Sequence, residues 1–280
     1  MHSVVLQLGP VAIRGYGLML AVSFLVGIYL AVWRAKKAGI GPERIMSLAL
    51  YVLVSSVVGA RLLYVVFHWD EYAAQPWSIV SPFQEGQMVG IGGLVFYGGT
   101  ILAILVGIWY LRRHGMPTWR VADAVAPSIA LGIFFTRIGC FLNGCCFGTP
   151  SRLPWAMMFP PESPAGSVFP GITIHPAQLY SSLYGLAIFG ILLGAERFKT
   201  FDGYTFWLFL MLYAVARFFV DFVRYYEPSM SLFERFSVNQ LISVALFVLA
   251  AAVFVSLWQV QSSREKQAVA PASDQPEAGP

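Results

Sequence analysis

Seven apolar stretches, each close to the roughly 20 residues that an α-helix needs to cross a bilayer, dominate this sequence. They fall at 15–33, 46–67, 92–111, 121–142, 176–195, 203–220 and 238–260. In 280 residues they leave little chain for a water-soluble domain. Only 11% of the residues are charged, against about 25% in a typical soluble chain. We therefore expect an all-α polytopic membrane protein with about seven transmembrane helices within 1–260. Outer segments are expected at 68–91 and 147–175, and the polar, Ala- and Pro-rich stretch 261–280 reads as a disordered cytoplasmic tail. Positions 1–14 lack a basic region and no small-residue cleavage site follows the first apolar run, so none of the seven reads as a cleavable signal.

The formal net charge is +4, but the basic residues form no long stripe, and no nucleic-acid partner is expected. Their distribution sets orientation instead. Of 18 Lys and Arg, eleven lie in one set of alternate loops: Arg34, Lys36, Lys37, Arg44, Arg112, Arg113, Arg120, Arg197, Lys199, Arg264 and Lys266. Four lie in the other set, at Arg14, Arg152, Arg224 and Arg235. The excess of positive charge marks the cytoplasmic side, which puts the amino terminus outside and the carboxyl terminus inside.

The remaining three, Arg61, Arg137 and Arg217, lie inside the apolar stretches, where an arginine at a helix centre costs about 2.5–3.5 kcal/mol on insertion scales. Each falls in the last third of an outward-running helix. The first turns of the inward-running helices carry Tyr16, Tyr97, His175 with Gln178 and Tyr180, and Asn239 with Gln240. That shared depth reads as a polar cavity at the level of the outer leaflet. Guanidinium groups in such a cavity suit a phosphate, which Arg recognises by planar, bidentate hydrogen bonding. The competing reading is that the arginines snorkel to the interface and the amides and hydroxyls only tie helices together.

The densest polar run, Thr136-Arg137-Ile138-Gly139-Cys140-Phe141-Leu142-Asn143-Gly144-Cys145-Cys146-Phe147-Gly148, closes the fourth stretch. It resembles the signature of the prolipoprotein diacylglyceryl transferases, Gly-Arg-x-Gly-Asn-Phe-x-Asn-x-Glu-x-x-Gly. It matches at Arg137, Gly139, Phe141, Asn143 and Gly148, and departs at Thr136, Cys140 and Cys145, as a divergent branch of the family would. Ile13-Arg14-Gly15-Tyr16-Gly17-Leu18-Met19, Gly59-Ala60-Arg61-Leu62-Leu63-Tyr64, His175-Pro176-Ala177-Gln178-Leu179-Tyr180, Tyr213-Ala214-Val215-Ala216-Arg217-Phe218 and Ser237-Val238-Asn239-Gln240 resemble further segments of the family, in its order. Tyr97-Gly98-Gly99 stands where many members have His-Gly-Gly, and Ser181 where a Glu is usual.

The resemblance implies transfer of a diacylglyceryl group from phosphatidylglycerol to the lipobox cysteine of a preprolipoprotein signal peptide. The reaction forms a thioether and releases glycerol phosphate, in a bacterial inner membrane, with no cofactor. It implies catalytic roles for Arg137, Arg217 and Tyr97, and substrate binding by Arg137, Tyr16, Arg61, Tyr64, Asn143, Gly148, His175, Gln178, Asn239 and Gln240. Arg137 would hold the headgroup phosphate while Arg217 stabilises the leaving oxygen. Tyr97 would either orient the lipid or accept the thiol proton, for which a phenol of pKa about 10 is poorly suited.

Cys140, Cys145 and Cys146 are expected as free thiols. With His175 they offer four zinc ligands, but adjacent cysteines do not follow the usual zinc-site spacing and this transfer needs no metal, so none is expected. Two other functions fit the arginines: an anionic-phospholipid binding or transport protein, and a transferase of the same fold with another acceptor. An intramembrane serine protease would need a Gly-x-Ser-x nucleophile segment that is missing.

Overall fold

A computed structural model describes residues 4–8, 11–73, 79, 95–226, 231–232 and 236–269. Its long helices are α1 (Gly15–Lys37), α2 (Pro42–Phe67), α4 (Phe96–Arg113), α5 (Thr118–Asn143), α7 (Ala177–Ala195), α8 (Tyr204–Val220) and α9 (Val238–Val269). Between them lie two single-turn helices, α3 (Trp69–Ala73) and α6 (Pro164–Val168). Two short antiparallel hairpins, which the sequence reading did not anticipate, pair β1 (Val4–Leu8) with β2 (Val11–Arg14) and β3 (Ser231–Leu232) with β4 (Phe236–Ser237).

Each of the seven apolar stretches coincides with a long helix. Among the described residues five of these helices are long and apolar enough to cross a membrane, while α8 is apolar but shorter. Helix α9 runs on to Val269, past the boundary expected at 260. Residues 270–280 of the expected tail, and most of the outer segment 68–91 with Trp77, lie outside the described residues.

The surface supports a hydrocarbon environment. Leu25, Tyr29, Val66, Leu183 and Val248 are all exposed large apolar side chains, in a density that a soluble monomer rarely tolerates. Without a hydrophobic force between helices in lipid, their association relies on close backbone approach and interhelical hydrogen bonds. Both are present. Gly59 of α2 and Gly98 of α4 meet backbone to backbone, so a Cβ on either would strike the other's carbonyl. Ser23 of α1 donates to the Gly132 carbonyl of α5 at 3.0 Å and accepts from Thr136 at 3.2 Å. Ser182 of α7 donates to the Phe134 carbonyl of α5 at 3.0 Å.

Helix α5 is the axis. Helix α1 packs antiparallel along one side, from Tyr16 near Gly139 to Arg34 near Ala124. Helix α7 packs along another, and α8 joins α5 and α7 in an apolar core around Ala126, Ala130, Ile188, Leu192 and Phe209. The α2–α4 hairpin joins α1 and α5 through a core of Ala31, Ala35, Ile45, Leu48, Tyr110, Leu111 and Ala124. That core lies at the end of the bundle holding the α5 N-terminus. The chain direction places Tyr16, Arg61, Tyr97, Arg137, Gln178, Arg217 and Asn239 all at the opposite end.

Candidate active site

The site end is organised by the turn that stops α5. Gly144 takes a left-handed conformation (φ 72°) that closes the helix, and its amide and that of Cys145 return to the Phe141 and Cys140 carbonyls. This is the usual way a helix satisfies its last carbonyls. Gln178, fully buried at the start of α7, donates to the Cys145 carbonyl at 2.9 Å and fixes the turn from the other side. Gly148 follows, with its would-be Cβ only 2.6 Å from both His175 and the Val223 carbonyl. No other residue fits there, which gives the signature glycine a packing cause.

Cys146 is the only non-glycine among the described residues with positive φ, at 58°, a conformation that costs about 1–3 kcal/mol for such a side chain. It brings the Sγ atoms of Cys140, Cys145 and Cys146 within 4.8 Å of one another, all three as free thiols. The Asn143 side chain lies beside the Cys145 thiol. Hydrogen bonding from the Cys140 and Cys145 thiols, together with the Arg224 and Arg137 guanidiniums, holds the Cys146 thiol well below its ordinary range against the effect of burial.

Arg137 lies in electrostatic reach of Tyr184, Tyr213, Cys140 and Cys146. Arg217 makes an ion pair with Asp221 at 3.2 Å. Tyr226 accepts from Arg217 at 2.6 Å and donates to Asp221 at 2.8 Å. Burial pushes the Tyr226 phenol up to about 12, so it stays protonated and keeps donating. Arg224 stacks on the Tyr226 ring at 5.2 Å. The field of Arg217, Arg224 and Arg137 converges on Asp221, the one carboxylate among them in the described residues. Two buried guanidinium nitrogens, Nη1 of Arg217 and Nε of Arg224, have no hydrogen-bond partner. Three guanidiniums with one carboxylate and two unpaired N–H groups have the chemistry to accept an anion.

The expected site residues do not all join this cluster. Arg61 donates to the Ile79 carbonyl at 3.0 Å and lies over the Tyr64 and Tyr72 rings at 5.7 and 5.2 Å, while Tyr64 stacks on His68. This assembly belongs to α2 and the segment after it. Tyr97 is 56% exposed beside the glycines that pack α4 on α2. Tyr16 packs against Gly139, next to the thiols. His175 faces Tyr180, with Nδ1 at 3.3 Å from its hydroxyl, which also accepts from Trp155 at 2.7 Å.

Gln240 is buried and its carbonyl accepts from the Ser237 amide at 2.9 Å, while Ser237 Oγ accepts from the Gln240 amide at 3.1 Å. That is a reciprocal capping box for α9. Asn239 sits beside it, half-buried.

Sequence reasoning missed Arg224, Asp221, Tyr226, Tyr184 and Tyr213. Arg224 was assigned to the outer loops. The signal available was Asp221 four residues after Arg217, the spacing of a helical ion pair.

The model of the prolipoprotein diacylglyceryl transferase family matches residues 3–256. The chain belongs to that family. Among similar proteins is a phosphatidylglycerol–prolipoprotein diacylglyceryl transferase of Nitratidesulfovibrio vulgaris, 37% identical over 251 residues, covering 87% of this chain and 89% of the relative. Proteins of the same name from Campylobacter hominis (31% over 261 residues, 91% and 90% covered) and Nostoc sp. (31% over 229 residues, 79% and 78% covered) are similar too. The family match extends from β1 into α9, so the thiol turn and the guanidinium cluster both lie inside it.

Proposed function

We propose that this chain transfers the diacylglyceryl group of phosphatidylglycerol to the lipobox cysteine thiol of a preprolipoprotein signal peptide, releasing glycerol phosphate. The proposal places the reaction at the outer-leaflet level of a bacterial inner membrane, in a bundle crossing it seven times with the amino terminus outside. The observation that carries the chemistry is the surplus of guanidinium at one end of α5, with Arg217 Nη1 and Arg224 Nε buried and unpaired.

In this reaction the substrate sulfur attacks the glyceryl carbon, the carbon–oxygen bond breaks, and the electron pair leaves on the phosphate. A free thiol of pKa about 8.5 is a few per cent thiolate at neutral pH, so no protein nucleophile is needed. The thiol proton passes to water or to the released phosphate monoester, whose second pKa is about 6. The protein's main task is to stabilise charge growing on the leaving phosphate. Fixed guanidiniums in a water-poor site do this without reorganising. Arg137 holds the headgroup phosphate, and Arg217, kept in place by Asp221 and Tyr226, stabilises the leaving oxygen. Tyr16, Asn143 and Gln178 line the same end. Both substrates approach through the membrane, between helices.

The test is to incubate purified protein with phosphatidylglycerol and a lipobox peptide and to weigh the peptide by mass spectrometry. A diacylglyceryl mass on the cysteine is the expected product. An unmodified peptide, with phosphatidylglycerol still bound to the protein, would point to a lipid carrier instead.

A further inference from the structure

Cys140, Cys145 and Cys146 take no part in the transfer described above, yet the fold spends a strained residue on bringing them together. Adjacent residues on an extended chain point to opposite sides, so neighbouring cysteines do not ordinarily face one partner. The left-handed conformation of Cys146 removes that obstacle, and all three Sγ atoms lie within 4.8 Å. The turn is braced by Gln178 on the Cys145 carbonyl, by the Cys145 amide on the Cys140 carbonyl, and by Gly144. Cys140 is buried, and Cys145 and Cys146 are half-buried.

The donor set selects the ligand. Among the described residues no His, Asp or Glu joins the three sulfurs; His175 turns to Tyr180 instead. Thiolates select Cu(I), Zn and Fe–S clusters, but structural zinc and Fe–S clusters take four protein ligands, whereas Cu(I) is satisfied by three. We propose that Cys140, Cys145 and Cys146 form a three-thiolate binding site for a soft monovalent cation, Cu(I). Binding exchanges three thiol protons for one Cu(I) with no change of oxidation state, leaving a net charge of minus two on the cluster. Arg137 and Arg224, whose charges both act on Cys146, supply the balancing pair of positive charges. The test of this site reads metal, not turnover.

The experiment titrates reduced, full-length protein in detergent with Cu(I), anaerobically, against a chromogenic Cu(I) chelator. One equivalent per chain is expected to resist the chelator, with a copper X-ray absorption spectrum showing sulfur-only coordination. Cys140→Ser and Cys145→Ser should each weaken binding by more than the about 10–100-fold that loss of outer-shell support costs a metal site. Stoichiometric binding that survives Cys145→Ser, or wild-type binding no stronger than that of the triple Ser variant, would overturn the site. Because a variant can misfold, the wild-type protein supplies a second readout: site-resolved maleimide labelling with and without Cu(I). Protection of all three cysteines is expected, and labelling of any one at its metal-free rate would contradict the proposal.

Discussion

The two ends of α5 both gather charge, and they balance it differently. At the N-terminal end Arg34 pairs with Glu196, Lys199 with Asp123 at 2.8 Å, and Arg120 with Asp202 at 2.7 Å. Asp123 also accepts from the Gly203 and Phe206 amides at 2.7 and 3.0 Å, capping α8 with both carboxylate oxygens. Lys199 also reaches Asp202 at 3.7 Å, and the result is a clamp across α1, α5, α7 and α8. At the C-terminal end Arg137, Arg217 and Arg224 share Asp221. At the first end these pairs tie separate segments together, and at the other two guanidinium nitrogens, Arg217 Nη1 and Arg224 Nε, are buried with no hydrogen-bond partner among the described residues. Breaking a buried pair is costly because it leaves one charge uncompensated, whereas a guanidinium N–H left unpaired in a buried site can stabilise an incoming anion.

Substitutions can break this contrast at either end. The largest effect is expected at the clamp: Asp123→Ala leaves Lys199 and two amides without their acceptor and should cost about 3–5 kcal/mol of stability. Thermal unfolding in detergent would show the loss, while transfer per folded molecule stays near wild type. Arg217→Ala also strands the buried Asp221 and is expected to lower Tm, but unlike Asp123→Ala it should slow transfer per folded molecule by about 10²–10³. If transfer per folded molecule stayed near wild type in Arg217→Ala, the site end would be a second clamp.

Two smaller effects separate the site end into its working and supporting parts. Gln240→Ala removes half of a capping box and should cost about 1 kcal/mol without weakening retention of phosphatidylglycerol. Loss of lipid with Tm unchanged would return Gln240 to the binding surface. Arg61→Ala loses its place over Tyr64 and Tyr72, worth about 2 kcal/mol for a buried guanidinium, and its hydrogen bond to Ile79, and should slow transfer far less than Arg217→Ala. Equal slowing would add Arg61 to the cationic set.

The helices were legible because apolar runs of this length have one solution in lipid: all backbone groups must be satisfied within the segment. The level of the polar residues followed from the same reading, since alternating helix direction puts Tyr16, Arg137 and Gln178 at one end. What sequence could not give was lateral position. Arg61 and Arg137 share a depth, but Gly59 and Gly98 lock α2 onto α4, and Arg61 turns to Tyr72 and the Ile79 carbonyl. Arg224 was hidden by the opposite error. It lies beyond the last apolar residue of α8, and only the pairing of Thr149 with Val223 and of Phe147 with Tyr225 folds it back toward Cys146. The capping role of Gln240 was readable in principle, since Ser237-x-x-Gln240 ahead of an apolar run is a capping signature, but only its polarity and depth were used. The three thiols were set aside as metal ligands on their spacing and because the transfer needs no metal; what spacing did not show is that a positive φ at Cys146 brings their sulfurs within 4.8 Å of one another.

The most direct test of the surplus-charge account is the rate of glycerol phosphate release from phosphatidylglycerol in nanodiscs with lipobox peptide, compared between wild type and Arg137→Ala at matched Tm. A rate lower by about 10² or more, with folding unchanged, is the predicted result. Equal rates from the two proteins would contradict it.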